Sequence, residues 1–359
     1  LLTVALGLRL YDLLGWRKRV MPGHQIGRVA QADRHLFRAA VRWTATFFDA
    51  WISHPEWLVQ ELIADATHDE PRSKATNYCM LLRCAGNTLH LRDEITGEVV
   101  HVTADVVVNA TGAWLDRSAA LLGGAPARIM GTKGSHLVLD HPALRDALAG
   151  RMAYFETQDG RVCIVYPFLG RVLVGSTDIP IDDPDQIGTD CSEIDYLLGV
   201  LRDVFPRLMF GRSDVVYTYV GVRPLARSDA DKPGQISRDH SVAVDLPDAT
   251  RNIPMVSLVG GKWTTFRALA EEATNEVLRQ LRTTRTASTR QLPIGGGADF
   301  PTTPSATTHM LERVVASGVR HRRAAVLLSR YGGKALSLSQ RLAAHGDVPL
   351  QYTPDYSLA

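Results

Sequence analysis

The sequence predicts an α/β fold with an α+β second region, and three observations carry that expectation. Val106-Val-Val108 is an apolar run that stops on Asn-Ala-Thr-Gly, and Met255–Val259 is a second apolar run that passes through Gly260-Gly261 into a helical stretch. Between them lie alternating or β-branched segments. Apolar runs without alternation suit parallel strands covered on both faces, whereas alternation suits an antiparallel sheet.

The totals bound the rest. A chain of 359 residues with 45% hydrophobic content can bury a large core and favours about two domains. Lys plus Arg total 40 against 38 for Asp plus Glu, a net charge of +2, which excludes the concentrated positive charge that duplex nucleic acid demands. The short basic clusters Arg17-Lys18-Arg19 and Arg320 to Arg323 read as solvated faces. Four cysteines, none in a Cys-x-x-Cys pair, suit a reducing cytoplasm and supply neither a disulfide framework nor a thiolate metal site.

From the first residue onward, Leu1 to Leu14 is apolar but shorter than the ~20 residues of a membrane span. Its basic residues follow the apolar run, and no small-residue cleavage site comes next, so it is not a signal peptide. It is expected to be a buried helix, with a membrane-surface helix as the alternative. After Pro22-Gly23, the spacing of Leu36, Ala40, Trp43, Phe47 and Trp51 predicts a helix within Arg34 to Thr67 that Pro55 splits. Strands are expected near Tyr78 to Leu82, Thr88 to Leu91 and Val99 to Thr103, then at Asp105 to Asn109. His136 to Asp140, Arg161 to Tyr166, Val172 to Val174 and Val215 to Val220 read as an antiparallel sheet. Within it, Asp190 and Glu193 form a capping pair for a helix with Ile194, Leu197, Leu198, Leu201 and Phe205 on one stripe, ended by Pro206. A helix from Lys262 to about Leu281 follows the second apolar run. Beyond a linker at Gly295-Gly296-Gly297, Met310 to Leu342 is helical.

Two strand ends carry candidate ligand contacts. Ala110-Thr111-Gly112 is small enough to let a ligand approach the backbone, although a tight strand-to-helix turn explains it equally well. Gly260-Gly261-Lys262-Trp263-Thr264-Thr265 opens a helix, where free amides and the helix dipole favour negative charge such as that on the pyrimidine edge of a reduced flavin. A glycine cap beside a solvated Lys262 is the bland alternative. No Gly-x-Gly-x-x-Gly turn accompanies them, since Phe300 follows Gly295 and Gly297 where a third glycine would belong.

Taken in order, several motifs resemble the FAD-dependent glycerol-3-phosphate dehydrogenases of the aerobic type. They are Val108-Asn-Ala-Thr-Gly-Ala-Trp114, Lys133-Gly-Ser-His136, Val174-Gly-Ser-Thr-Asp178, Gly221-Val-Arg-Pro-Leu225, Ser237-Arg-Asp-His240 and Gly260-Gly-Lys-Trp-Thr-Thr-Phe-Arg267. The likeness continues through Thr289-Arg-Gln-Leu-Pro-Ile294 to Arg330-Tyr-Gly-Gly333. It implies an incomplete Rossmann-like FAD-binding domain made of residues 1–125, with linking segments, and a return segment over 251–285. It further implies an antiparallel-sheet substrate domain over 126–250 and a partial helical domain over 298–359. The implied reaction moves a hydride from C2 of sn-glycerol 3-phosphate to FAD, giving dihydroxyacetone phosphate and passing electrons to quinone. A cytoplasmic protein, peripheral on the membrane and homodimeric, would fit the same resemblance.

The resemblance also assigns roles. Ala110, Thr111, Gly112, Trp114, Gly260, Gly261, Lys262, Trp263 and Thr264 would contact FAD. Arg223, rigidified by Pro224, would fork onto the substrate phosphate with Lys262 as a point charge and Arg238 as a third cation. His136 is the only histidine inside a matched motif and a candidate base for the C2 hydroxyl, with a satisfied structural histidine as the alternative.

Some positions depart from the family. Ala113 stands where Pro is usual and Trp263 where Leu is usual; Ile52 to Glu56 fits the usual Asp-Asp-Ala-Arg poorly; and the His-Gly-Gly-x-Arg-Tyr segment with the other candidate base is not in the chain. The expectation is therefore a chain truncated at both ends. Besides the dehydrogenase, the readings kept are an inactive remnant acting as a binding module, an oxygen-using glycerol-3-phosphate oxidase, and a flavin amine or amino-acid oxidase. The last needs a single arginine for a carboxylate, which the combination of Arg223, Lys262 and Arg238 disfavours.

Overall fold

The computed structural model describes residues 2–15, 22–31, 33–49, 51–52, 54–124, 126–228, 239–351, 353 and 356–357. Arg17-Lys18-Arg19 and Arg238 lie outside the described residues. The chain forms two compact units, Leu1–Asp49 with Cys79–Thr286, and Ala50–Tyr78 with Ala287–Ala359. In chain order the elements are α1 (Leu2–Gly15), β1 (Gln25–Arg28), β2 (Trp43–Thr46), α2 (Pro55–Asp69), β3 (Cys79–Ala85), β4 (Thr88–Asp93), β5 (Val99–Thr103), β6 (Val107–Asn109) and α3 (Leu115–Leu121). They continue with β7 (Ile129–Leu139), α4 (Pro142–Leu148), β8 (Ala153–Glu156), β9 (Val162–Phe168), β10 (Arg171–Gly175), β11 (Ile179–Ile181), α5 (Cys191–Val204) and β12 (Val215–Ala226). The last are β13 (Ser241–Asp245), β14 (Met255–Val259), α6 (Phe266–Gln280), α7 (Pro304–Ala316), α8 (His321–Tyr331) and α9 (Ala335–His345).

The largest sheet of the first unit is antiparallel throughout and centred on β7, with β12 along one edge and β10 and β11 along the other. Period-two alternation gives β7 two unlike faces. Leu137 and Leu139 point to the face covered by α5, where Leu197, Leu198, Leu201 and Phe205 close the core. Each of the three helix leucines is fully buried and contributes about 2 kcal/mol. The start of α5 is fixed by a capping box in which the Asp190 side chain accepts from the Glu193 amide and Glu193 accepts from the Asp190 amide.

A second sheet has the order β13-β14-β6, with β6 and β14 parallel and Val107, Val108 and Asn109 opposite Met255, Val256 and Ser257. The parallel pairing is as the sequence predicts, but the covering is not: Val108 is 46% exposed, so β6 is buried on one face alone. Cys84, Ala119, Leu122 and Met255 join this sheet to α3 and to the antiparallel trio β3-β4-β5.

Two expectations near the amino terminus fail. The stretch from Arg34 to Trp51 is not a helix: turns lead to β2, which pairs with β1, and Arg28 lies 5.8 Å over the Trp43 ring. Leu36 and Phe37 instead pack against the α5 core, Phe37 with its ring 5.5 Å from that of Phe205, so tertiary burial overrides the helical spacing. Pro55 opens α2 at its first turn rather than dividing a longer helix, consistent with its missing amide. Helix α1 forms, but none of its residues is buried. Among the described residues no helix is long and apolar enough to cross a membrane.

In the second unit α7, α8 and α9 pack around Val314, Ala324, Leu327, Leu328, Ala335 and Leu342. The Gly295-Gly296-Gly297 segment is a built turn, not a loose linker: the Gly295 amide donates to Asp65 at 2.7 Å and the Gly296 amide to Glu61 at 2.7 Å. A Cβ on Gly296 would strike the Tyr331 carbonyl, and Tyr331 meets the Trp57 ring edge-on at 4.6 Å.

Candidate functional site

The candidate site grows from two strand ends and one open sheet face, all in the first unit. Because β6 and β14 run parallel side by side, the turns after Asn109 and after Val259 leave from the same sheet edge, where ligands of open α/β sheets bind. Asn109 is buried and shapes the first turn: its Nδ2 donates to the Leu115 carbonyl at 2.9 Å, and its Oδ1 accepts from the Thr111 hydroxyl at 2.7 Å. Ala110 and Thr111 thus lead into a single 3-10 turn, Gly112–Trp114, which Gly112 enters at φ +58°. The Trp114 indole donates to Asp185 at 2.8 Å, while Arg117 bridges Asp183 and Asp185, both at 2.6 Å.

At the second end Gly260 and Gly261 have φ of +70° and +109°, and a Cβ on Gly260 would lie 2.7 Å from the Asp239 carbonyl oxygen. Only glycine meets both demands. A 3-10 turn, Trp263–Thr265, then opens α6, whose first turn carries no acidic residue. Lys262 and Thr264 are exposed, Trp263 is 51% exposed, and Lys262 has no carboxylate partner among the described residues.

The open face belongs to the β7-centred sheet. Thr132, Gly134 and His136 alternate along one side of β7, facing Arg223, Gly221 and Tyr219 of β12, with Gly175 of β10 opposite His136 on the other flank. Glycine makes this face low. A Cβ on Gly134 would strike the Arg223 guanidinium and one on Gly175 the His136 ring, so both side chains lie down across a glycine floor. Arg223, its side chain 27% exposed, reaches over Gly134 to Ser176 Oγ, to the Thr177 carbonyl at 3.2 Å and to Asp178 at 3.4 Å. His136 stacks on Tyr219 with ring centroids 5.0 Å apart and planes 12° from parallel. Burial first, and the nearby Arg223 charge second, hold the imidazole down at about 4, so it is neutral at pH 7. Its Nδ1 is buried without a hydrogen-bond partner among the described residues. Burial also pushes Tyr219 up to about 12, keeping the phenol protonated.

The structure therefore brings together His136 and Arg223, and separately gathers Ala110, Thr111, Gly112 and Trp114 with Gly260, Gly261, Lys262, Trp263 and Thr264 at one edge. The two sets belong to one core, since Leu115, Ile129 and Val259 form a buried cluster against which Ala226 packs. Sequence reasoning missed Tyr219, the hold of residues 176–178 on Arg223, and the flooring role of Gly134 and Gly175. The motifs contain or adjoin these residues, but only the cross-strand register reveals who faces whom.

The first unit thus joins a parallel-strand edge with paired glycine turns to an antiparallel sheet bearing a cation and a neutral imidazole. The chain belongs to the FAD dependent oxidoreductase family, which it matches over residues 14–274. It is similar to the glycerol-3-phosphate dehydrogenase of Synechocystis sp., with 33% identity over 317 residues, 82% of this chain and 56% of the relative. It also matches the aerobic glycerol-3-phosphate dehydrogenase of Escherichia coli, at 29% identity over 304 residues, 82% of this chain and 58% of the relative. The structure of the glycerol-3-phosphate dehydrogenase from Bacillus halodurans complexed with FAD has the same fold, with a TM-score of 0.72 at 21% identity over 88% of this chain and 61% of that one. The chain thus spans well under two thirds of the length of these relatives.

Proposed function

We propose that the chain serves FAD-dependent oxidation of sn-glycerol 3-phosphate to dihydroxyacetone phosphate, with electrons passed to quinone. The observation that carries this reading is the adjacency of the two glycine turns on the parallel edge, sharing one core with the sheet that bears Arg223 and His136. A flavin suits that edge: Gly112 leaves open space where a Cβ would stand, the first turn of α6 carries no acidic residue, and Trp114 and Trp263 expose flat surfaces. Ala110, Thr111, Gly112, Trp114, Gly260, Gly261, Lys262, Trp263 and Thr264 would hold its ring side; no residue is assigned to the pyrophosphate. When bound, FAD supplies the acceptor for the C2 hydride.

The chain's own residues do the remaining work. Arg223, held flat by Ser176, Thr177 and Asp178, offers a fixed guanidinium to the phosphate dianion, with Lys262 and Arg238 as further cations. His136, neutral at pH 7, takes the C2 hydroxyl proton. A dianion on Arg223 offsets the Arg223 charge, which is the second cause, after burial, of the depressed imidazole. Quinone as the acceptor is what the motif resemblance implies, and the exposed apolar residues of α1, Leu2, Leu6, Leu10 and Leu14, suit peripheral contact with a membrane.

The test uses the 359-residue chain reconstituted with FAD. Anaerobic addition of sn-glycerol 3-phosphate should bleach the visible flavin band, glycerol should not, and Arg223→Lys should raise the concentration needed about tenfold or more. Failure to retain flavin, or equal bleaching by glycerol, sinks the reading. Rapid reoxidation by air instead of by a quinone would favour the oxygen-using oxidase.

A further inference from the structure

On the opposite face of β7 from His136, the structure holds a buried carboxylate that touches neither strand-end turn nor the open face. Glu193 is 2% exposed and accepts from Lys133 Nζ at 2.8 Å, Ser135 Oγ at 2.8 Å, Thr177 Oγ1 at 2.7 Å and the Asp190 amide at 3.1 Å. Burial opposes its ionisation, but Lys133, Thr177, the Asp190 amide and Ser135 outweigh that and hold the carboxyl below its usual range.

We propose that Glu193 is the positioning residue of the anion site, fixing Arg223 through Thr177 and seating His136 through Ser135. The Thr177 hydroxyl that donates to Glu193 also accepts from the Ser135 amide at 2.9 Å, and the Thr177 carbonyl accepts from Arg223 at 3.2 Å. One carboxylate thus ties strand β7 to residues 176–178, which aim the guanidinium. The α5 capping box does more than start a helix: its glutamate passes the position of the helix terminus through the sheet to the ligand face. Four donors converge on it, and a neutral amide cannot accept from all of them, so the geometry needs the charge.

This inference rests on the reading of Arg223 as the substrate-phosphate ligand, and the test separates the two. Calorimetry on the 359-residue chain, with sn-glycerol 3-phosphate as the probe, should show Glu193→Gln weakening binding about tenfold or more. Thr177→Val, which removes a single hydroxyl, should weaken it in the same direction even if Glu193→Gln fails to fold, and Thr177→Ser should restore it. In an Arg223→Lys background, Glu193→Gln or Thr177→Val should cost little further affinity, because the fork it aims is gone. If Arg223→Lys leaves affinity unchanged, the reading of the anion site fails. If Arg223→Lys weakens binding and the Glu193 or Thr177 change has its full effect in both backgrounds, or Thr177→Val binds as well as the unmodified chain, the positioning inference fails alone.

Discussion

Acid should destabilise the fold at His136 in a way that can be isolated. The imidazole has an ordinary value of 6.5 and is held at about 4 in the folded protein by burial and by Arg223. As pH falls through 6.5 the unfolded chain takes up a proton at this site while the folded one does not, so the unfolded state binds more protons and stability drops. The contribution is fully present above pH 6.5 and is lost progressively down to about pH 4. The gap corresponds to about 3 kcal/mol in full, of which about 2.5 kcal/mol is lost by pH 4.5. His136→Phe keeps a ring against Tyr219 and removes the titration. Urea unfolding at pH 7 and pH 4.5 should show the unmodified chain losing about 2.5 kcal/mol more than the variant over that interval. In parallel, the C2 proton of His136 should show no shift on NMR titration between pH 7.5 and 5.5. A midpoint near 6.5, or identical acid sensitivity in the variant, refutes the assignment of a buried, cation-flanked imidazole.

Two further substitutions probe the frame. Gly260→Ala places a Cβ 2.7 Å from the Asp239 carbonyl at φ +70°, and should lower stability by about 2 kcal/mol or more in thermal or denaturant unfolding; an unchanged midpoint would show that the turn relaxes freely. Arg251 is 1% exposed and donates to the Leu122 carbonyl at 2.9 Å and to the Ile253 carbonyl, so Arg251→Met should cost about 3 kcal/mol by orphaning buried acceptors. Equal stability by urea unfolding would mean that Met packs as well as the guanidinium bonds.

Local chemistry makes some elements legible in the sequence itself. The α5 capping box is written in Asp190 and Glu193, and the paired strand ends in Val106–Gly112 and Met255–Gly261, because caps and strand-to-helix glycine turns are decided within a few residues. Tertiary context is not legible in the same way. Leu36 and Phe37 carry helical spacing yet serve as plugs on the α5 core, and Trp43 pairs across to Arg28. At the site, His136 and Arg223 can be picked out singly, but that Gly134 and Gly175 are their floor depends on which strands neighbour β7, information that no window of sequence contains.

The pairing of Ile129 with Ala226 bears on the order in which the molecule assembles. The chain leaves the parallel edge after β6 and returns to it only at β14, so joining those strands directly would close a very long loop. Once β7 and β12 are zipped, however, the excursion departs and comes back at one point, and the closure that remains runs through residues 110–128 and 227–254 instead of the whole of 110–254. The antiparallel sheet should therefore form early and the parallel edge late, with the strand-end turns completed last. Pulse-labelling hydrogen exchange during refolding would find amides of Leu137 and Leu139 protected before those of Val107 and Asn109.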